Sequence, residues 1–208
     1  MKFSRLVDLT ADLHCFSPGI IAAGEDLAQI RVQISRWVQS GGVTRIHKGW
    51  YTLNDPYRRV RLDAHVVAST IKAGSYVSLQ SALAFHGMIP EDVVVMTCVT
   101  SGRPLFIDSP VGRFHFRHIK RDAFFGYSRY EYGVQHAHIA EPEKALLDLL
   151  YLTPGSNTGA YLAELRLQET EKLDLEKLRR MAARFGTPRL VRAVQKLAVM
   201  VASERGGA

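Results

Sequence analysis

The sequence predicts an α+β fold: an N-terminal winged helix-turn-helix over residues 1–58, then a mixed α/β domain over residues 59–208 that ends in helices. Three observations predict it. Residues 1–55 carry three helical apolar patterns and then two short strand-like runs around a basic turn. β-Branched and aromatic runs between Val93 and Ile139, separated by turn residues, read as strands. From Glu141 onward the apolar period becomes helical.

Phe3, Leu6, Val7, Leu9 and Leu13 recur at near-helical spacing and define the first helix. Ser17-Pro18 is a helix start, with Ser as N-cap and Pro at the first helical position, and it opens a short apolar segment from Gly19 to Ala23. After Gly24, Glu25-Asp26 suits the positive end of a third helix, which runs to about Ser40 and is stopped by Gly41-Gly42. Val43 to Leu53 reads as a hairpin around His47-Lys48-Gly49, and Asn54-Asp55-Pro56 closes the unit. At about 100° per residue, Leu27, Ile30, Ile34, Trp37 and Val38 fall on one face of the third helix. Ala28, Gln29, Val32, Gln33, Ser35 and Arg36 fall on the other, with no acid among them.

Helices follow at Arg61–Ala73 and Ser78–His86, each stopped by a glycine. Val93–Thr100, Leu105–Ile107, Gly112–Ile119, Ser128–Tyr132 and Val134–Ile139 read as strands. Helices are then expected at Glu141–Leu152, Thr158–Thr170, Asp174–Phe185 and Pro188–Ser203, the last with Leu190, Val194, Leu197 and Val201 in one stripe.

Composition narrows the partners. The 208 residues carry 27 Lys/Arg against 20 Asp/Glu, a formal charge of +7. The excess is densest in residues 1–61, with nine basic against five acidic side chains. A basic balance points modestly to a polyanion. Gln pairs bidentately with adenine, Arg with guanine, and small residues admit close approach to the groove. Double-stranded DNA is therefore the expected partner of Ala28, Gln29, Val32, Gln33, Ser35 and Arg36, with Arg45, His47 and Lys48 gripping phosphate from the wing. The other reading of this segment is a solvated helix face beside a surface hairpin. No run of about 18 apolar residues exists, so no membrane partner is expected. Asp8 and Asp12 stand where a signal peptide is apolar, and Cys15 and Cys98 read as buried reduced thiols; both suggest a cytoplasmic protein.

Enzyme chemistry is weakly signalled, and neither catalytic residues nor a cofactor are expected. His136 and His138 could chelate from one strand face, but no further ligand lies at a recognisable spacing, so no metal is expected. Glu141-Pro142-Glu143-Lys144 resembles the string with which nucleases hold Mg²⁺, with Asp108 as the upstream acid. Pro142 places it at a helix start, where capping explains the acids. A metal-dependent nuclease targeted by a winged helix is thus the alternative function. Arg113, His115 and Arg117 alternate on one strand face, and with Lys120, Arg121 and Arg129 they form a candidate surface for DNA or an acidic partner. A solvated sheet face explains them equally well.

Three strings carry a family resemblance: Tyr76-Val77-Ser78-Leu79-Gln80-Ser81-Ala82-Leu83-Ala84-Phe85-His86-Gly87; Phe116-Arg117-His118-Ile119 with Phe124-Phe125-Gly126-Tyr127; and Ile139-Ala140-Glu141-Pro142-Glu143-Lys144-Ala145-Leu146-Leu147-Asp148-Leu149-Leu150-Tyr151. Together they resemble the motifs of AbiEi-type antitoxins, the transcriptional regulators of type IV toxin–antitoxin systems. The resemblance implies a winged helix that binds inverted repeats in its own promoter, a repressor. It also implies a C-terminal domain needed to neutralise a nucleotidyltransferase-type toxin, and a cytoplasmic setting. The sequence shows no dimerisation helix, so a monomer that pairs on DNA is expected.

Overall fold

The computed structural model describes residues 1–22, 24–90 and 93–206. Ala23, the expected end of the short apolar segment, lies outside the described residues. The fold is mixed α+β, with N-terminal helices and a wing-like hairpin, a six-stranded mixed sheet and C-terminal helices.

The N-terminal unit comprises α1 (Phe3–Thr10), α2 (Pro18–Ile21), α3 (Leu27–Gln39), β1 (Val43–His47) and β2 (Trp50–Leu53). Its core is Leu6, Ala11, Phe16, Ile21, Ile30, Ile34, Val43 and Leu53. The Asp26 carboxylate caps α3 by accepting from Ala28 N–H at 2.8 Å. Gly42 is required where α3 meets the hairpin, because a Cβ there would sit 2.8 Å from Phe3 Cζ. The backbone of Phe16 pairs with Tyr51, adding a third extended segment to the hairpin.

The remaining elements are α4 (Ala64–Ile71), β3 (Ser75–Val77), α5 (Leu79–Phe85), β4 (Val95–Thr100), β5 (Leu105–Ser109), β6 (Gly112–His118), β7 (Tyr127–Tyr132), β8 (Gln135–Ala140), α6 (Pro142–Leu152), α7 (Gly159–Glu164), α8 (Leu175–Phe185) and α9 (Pro188–Gly206). The strand order is β5-β6-β4-β3-β8-β7, with β4–β6 and β3–β8 parallel and the other pairs antiparallel. Leu190, Val194, Leu197 and Val201 are buried, as their stripe on α9 predicts. No helix among the described residues is long and apolar enough to cross a membrane.

Three expected helices are shorter. The first, whose apolar pattern reaches Leu13, ends at Thr10. The helix expected from Arg61 begins at Ala64, because Asp63 accepts from the His65 and Val66 amides and caps it. The helix expected over Thr158–Thr170 stops at Glu164. Arg166 and Glu169 adopt left-handed φ of 46° and 47°, and Gln168 N–H donates to the Met88 carbonyl instead of to a helical turn.

The two units touch. Cys15 and Ile46 belong to the core of the larger unit. The Gln135 side chain accepts from His14 N–H at 2.6 Å and donates to the Cys15 carbonyl at 3.0 Å. His14 Nδ1 accepts from Asp63 N–H at 3.1 Å, and its ring meets Tyr132 edge-on.

Candidate nucleic-acid interface

The outward face of α3 is built as the wheel predicts. Ile30 and Ile34 anchor the inner side, while Ala28, Gln29, Val32, Ser35 and Arg36 are exposed and Gln33 is half-buried. Ala28, Gln29, Val32, Gln33 and Arg36 line one shallow depression of about 330 Å³. Val32 is 53% exposed, a large apolar side chain left facing solvent in the middle of this strip. The Gln33 Oε1 atom is buried without a hydrogen-bond partner. Arg31, which the wheel sets between the two faces, is also exposed.

The wing supplies cations. Arg45 and Lys48 are exposed and His47 is half-buried. Gly49, at φ 80°, closes the turn after Lys48. A bulge between Arg45 and His47 turns Ile46 inward to the larger core. Chemically, the unit offers amide and guanidinium donors on a small-residue helix face, flanked by mobile-length cationic side chains. That set suits base edges and phosphates.

The second expected surface divides. Arg113 and His115 are exposed on β6, with Phe114 and Phe116 buried on its other face, as the alternation predicts. Arg117 is half-buried and donates to the Leu152 carbonyl at 2.5 Å, at the end of α6. Lys120 donates to the Phe185 carbonyl at 2.8 Å, at the end of α8. Both cations thus satisfy helix C-termini. Arg121 is exposed. Arg129 is not part of the same face as a near neighbour: it sits on β7, at the opposite edge of the sheet from β5 and β6, and pairs with Glu131 at 2.7 Å. Asp108 stands across from Arg113 in the β5–β6 register, which further dilutes the local charge.

The nuclease-like string also disperses. Asp108 lies on β5, whereas Glu141 and Glu143 both pair with Lys177 of α8. Lys144 points into the interior and pairs with Asp148, one turn along α6. Among the described residues, no three His, Cys, Asp or Glu side chains group as metal ligands.

Sequence reasoning missed the network around that pair. Asp148 accepts from Tyr76 Oη at 2.9 Å and Ser78 Oγ at 2.7 Å, as well as from Lys144. The Lys144 ammonium lies 4.8–5.3 Å from the ring centres of Phe185, Phe125 and Tyr76. Burial raises the Asp148 pKa and lowers that of Lys144, while their mutual attraction opposes both shifts. Gly126, at φ 73°, lies over this group, where a Cβ would come 3.2 Å from the Lys144 stem. Tyr76, Ser78, Lys144 and Asp148 are all shut from solvent, so the network holds the interior and offers no substrate access. Its signal in the sequence is a pair of opposite charges four apart inside an apolar run.

No family model matches the chain, and no curated protein sequence matches it. Among solved structures it is similar to the RV2827C protein from Mycobacterium tuberculosis, with 15% sequence identity and a TM-score of 0.58. The match covers 94% of this chain and 75% of that one. At this identity the likeness is one of fold.

Proposed function

We propose that this protein is a DNA-binding transcriptional regulator that reads its site through α3 and steadies itself on phosphate through the wing. One observation carries the reading. The exposed face of α3 gathers Gln29, Gln33 and Arg36 around Ala28 and Val32, and Arg45 and Lys48 stand exposed on the adjoining hairpin. In a helix-turn-helix, such a helix lies in the major groove. Ala28 and Val32 give the apolar contact that a thymine methyl accepts, and the amides and guanidinium discriminate adenine and guanine. Arg31 joins Arg45, His47 and Lys48 as a phosphate contact.

The motif resemblance extends the proposal. The DNA would be inverted repeats in the protein's own promoter, and the chain a repressor that acts as antitoxin to a nucleotidyltransferase-type toxin in the cytoplasm. The larger unit would then serve neutralisation by surface contact or by regulation, with no cofactor.

The test uses the full chain, because Cys15 and Ile46 embed the N-terminal unit in the larger core. DNA that co-purifies with the protein is sequenced, and binding to the recovered site and to the gene's upstream region is titrated against salt. Arg36→Ala or Gln33→Ala should cost about 1–3 kcal/mol and relax base preference at one position. Lys48→Ala should weaken all sequences alike and lower the salt slope by about one. Equal affinity of the unaltered chain and the Arg36→Ala and Lys48→Ala variants for every DNA tested at low salt would refute the reading.

A further inference from the structure

We propose that β7 is a pairing surface for a second copy of this chain, joined antiparallel about a two-fold axis through Tyr130. The sheet ends at β7: β8 is its neighbour on one side, and no strand among the described residues lies on the other. At the opposite edge, β1 packs alongside β5.

The hydrogen-bond alternation shows which groups point outward. Gly126 accepts from Glu141 N–H, just beyond the Tyr127–Ala140 pair. In an antiparallel ladder, directly bonded pairs alternate with unbonded ones. Ser128, Tyr130 and Tyr132 are therefore the residues bonded to β8, opposite Ile139, Ala137 and Gln135. Two bonds on β8 agree: His138 N–H donates to Ser69 and the Ala140 carbonyl accepts from His86, both away from β7. Arg129 and Glu131 thus direct their own N–H and C=O groups to the open edge, where no partner for them stands among the described residues.

These same two residues carry opposite charges, and both side chains are more than half exposed. With Tyr130 on the axis, Arg129 of one copy falls opposite Glu131 of the other, and the reverse holds across the axis. Both are hydrogen-bonded positions in that register, so backbone pairing and charge pairing coincide. An edge protected against self-pairing commonly carries charge that repels its like. This edge is self-complementary instead. Opposite charges directly across a ladder attract and like charges repel.

The pairing would also set the two N-terminal units. Tyr132 and Gln135, at the β7–β8 turn, hold His14 and Cys15. Antiparallel pairing places the two Tyr132 residues four positions apart along the ribbon, roughly 14 Å at 3.4 Å per residue. The two reading helices then diverge from a two-fold axis, the symmetry of an inverted repeat. The pairing itself does not depend on the DNA reading, and its test contains no DNA.

Sedimentation equilibrium of the full chain is measured up to ~1 mM, a range that detects weak association. The unaltered chain should self-associate to a dimer. Arg129→Glu or Glu131→Arg alone makes both two-fold-related pairs repulsive and should weaken the dimer by about tenfold or more. The double variant R129E/E131R should restore it. An equimolar mixture of the two single variants should form a heterodimer, because every cross-strand pair is then complementary. Circular dichroism of each variant checks that these exposed changes leave the fold intact. A chain that stays monomeric over the whole range overturns the proposal, as does a dimer indifferent to the single reversals or unrestored by the swap.

Discussion

Asp148→Ala is expected to be among the most damaging single substitutions in the chain. The Asp148 carboxylate accepts from Lys144, Tyr76 and Ser78, all fully buried, so its removal strands three donors at once. Leaving one partner of a buried ion pair uncompensated costs about 3–5 kcal/mol. Two stranded hydroxyls add to that, against a total stability of about 5–15 kcal/mol for a typical protein. Replacing the pair with apolar groups is far cheaper. Lys144→Met with Asp148→Ala should therefore be more stable than Asp148→Ala alone, although it carries one more substitution. Urea unfolding at constant m measures both. The pH dependence supplies a second signature. Burial already lowers the Lys144 pKa, and without Asp148 the opposing attraction is gone. The folded variant then binds fewer protons than the unfolded chain at any pH between the depressed value and the ordinary lysine value. Stability rises with pH where the unfolded state binds more protons. Asp148→Ala should accordingly recover part of its deficit, relative to the unaltered chain, as pH rises toward the ordinary lysine value, and the double variant should not. An Asp148→Ala cost under about 1 kcal/mol, or a double variant at the sum of the singles, would refute the role assigned to the network.

Burial lowers the His14 pKa, against the pull of Asp63 and with the help of Arg58, so folding favours the neutral ring. Its contribution is present above pH 6.5 and is lost as pH falls through its depressed folded value; His14→Asn, which keeps an acceptor for Asp63 N–H, should flatten the acid side of the stability curve in thermal melts between pH 7 and 5. Gln135→Ala removes the amide that bridges His14 and Cys15, and should speed amide hydrogen exchange at those two residues while the strands of the central sheet stay protected. Arg113→Glu should change stability within about 0.5 kcal/mol, as exposed positions do, whereas Arg117→Glu should cost about 1–3 kcal/mol because its guanidinium caps the Leu152 carbonyl.

The legible parts of this chain are the local ones. The α3 face could be read because a helix wheel, an Asp26 cap and a Gly41-Gly42 stop all lie within one segment. The start of α6 could be read for the same reason: Pro142 stands at its first turn and Glu143 beside it. What escaped depends on residues distant in sequence. The end of α7 is set by Gln168 bonding to Met88, 80 residues earlier, which no periodicity displays. Arg129 looked like part of a basic cluster because it follows Arg113, Arg117, Lys120 and Arg121 along the chain. The strand order carries it across three intervening strands from β6, to the far edge. Arg117 and Lys120 counted as surface charge in the sequence, yet their stems reach helix C-termini that only the packed fold brings near.

The strings that carry the family resemblance and the residues proposed to read DNA lie in different places. Tyr76 and Ser78 of the first string, Phe125 and Gly126 of the second, and Lys144 and Asp148 of the third all meet in the buried network. Such residues specify an interior, through matched donors and a charge that must be paired. They place no constraint on the bases a protein contacts. Gln29, Gln33 and Arg36 stand outside all three strings, on a helix seated by Ile30 and Ile34 with Trp37 and Val38 packed against the same core. Exchanging those three outward residues should therefore change the preferred bases at little cost to the fold. The relative placement of two half-sites has a different physical origin. In the proposed dimer it would follow from how Gln135, Tyr132 and Ile46 hold the N-terminal unit against the sheet, and from the edge at which two sheets meet.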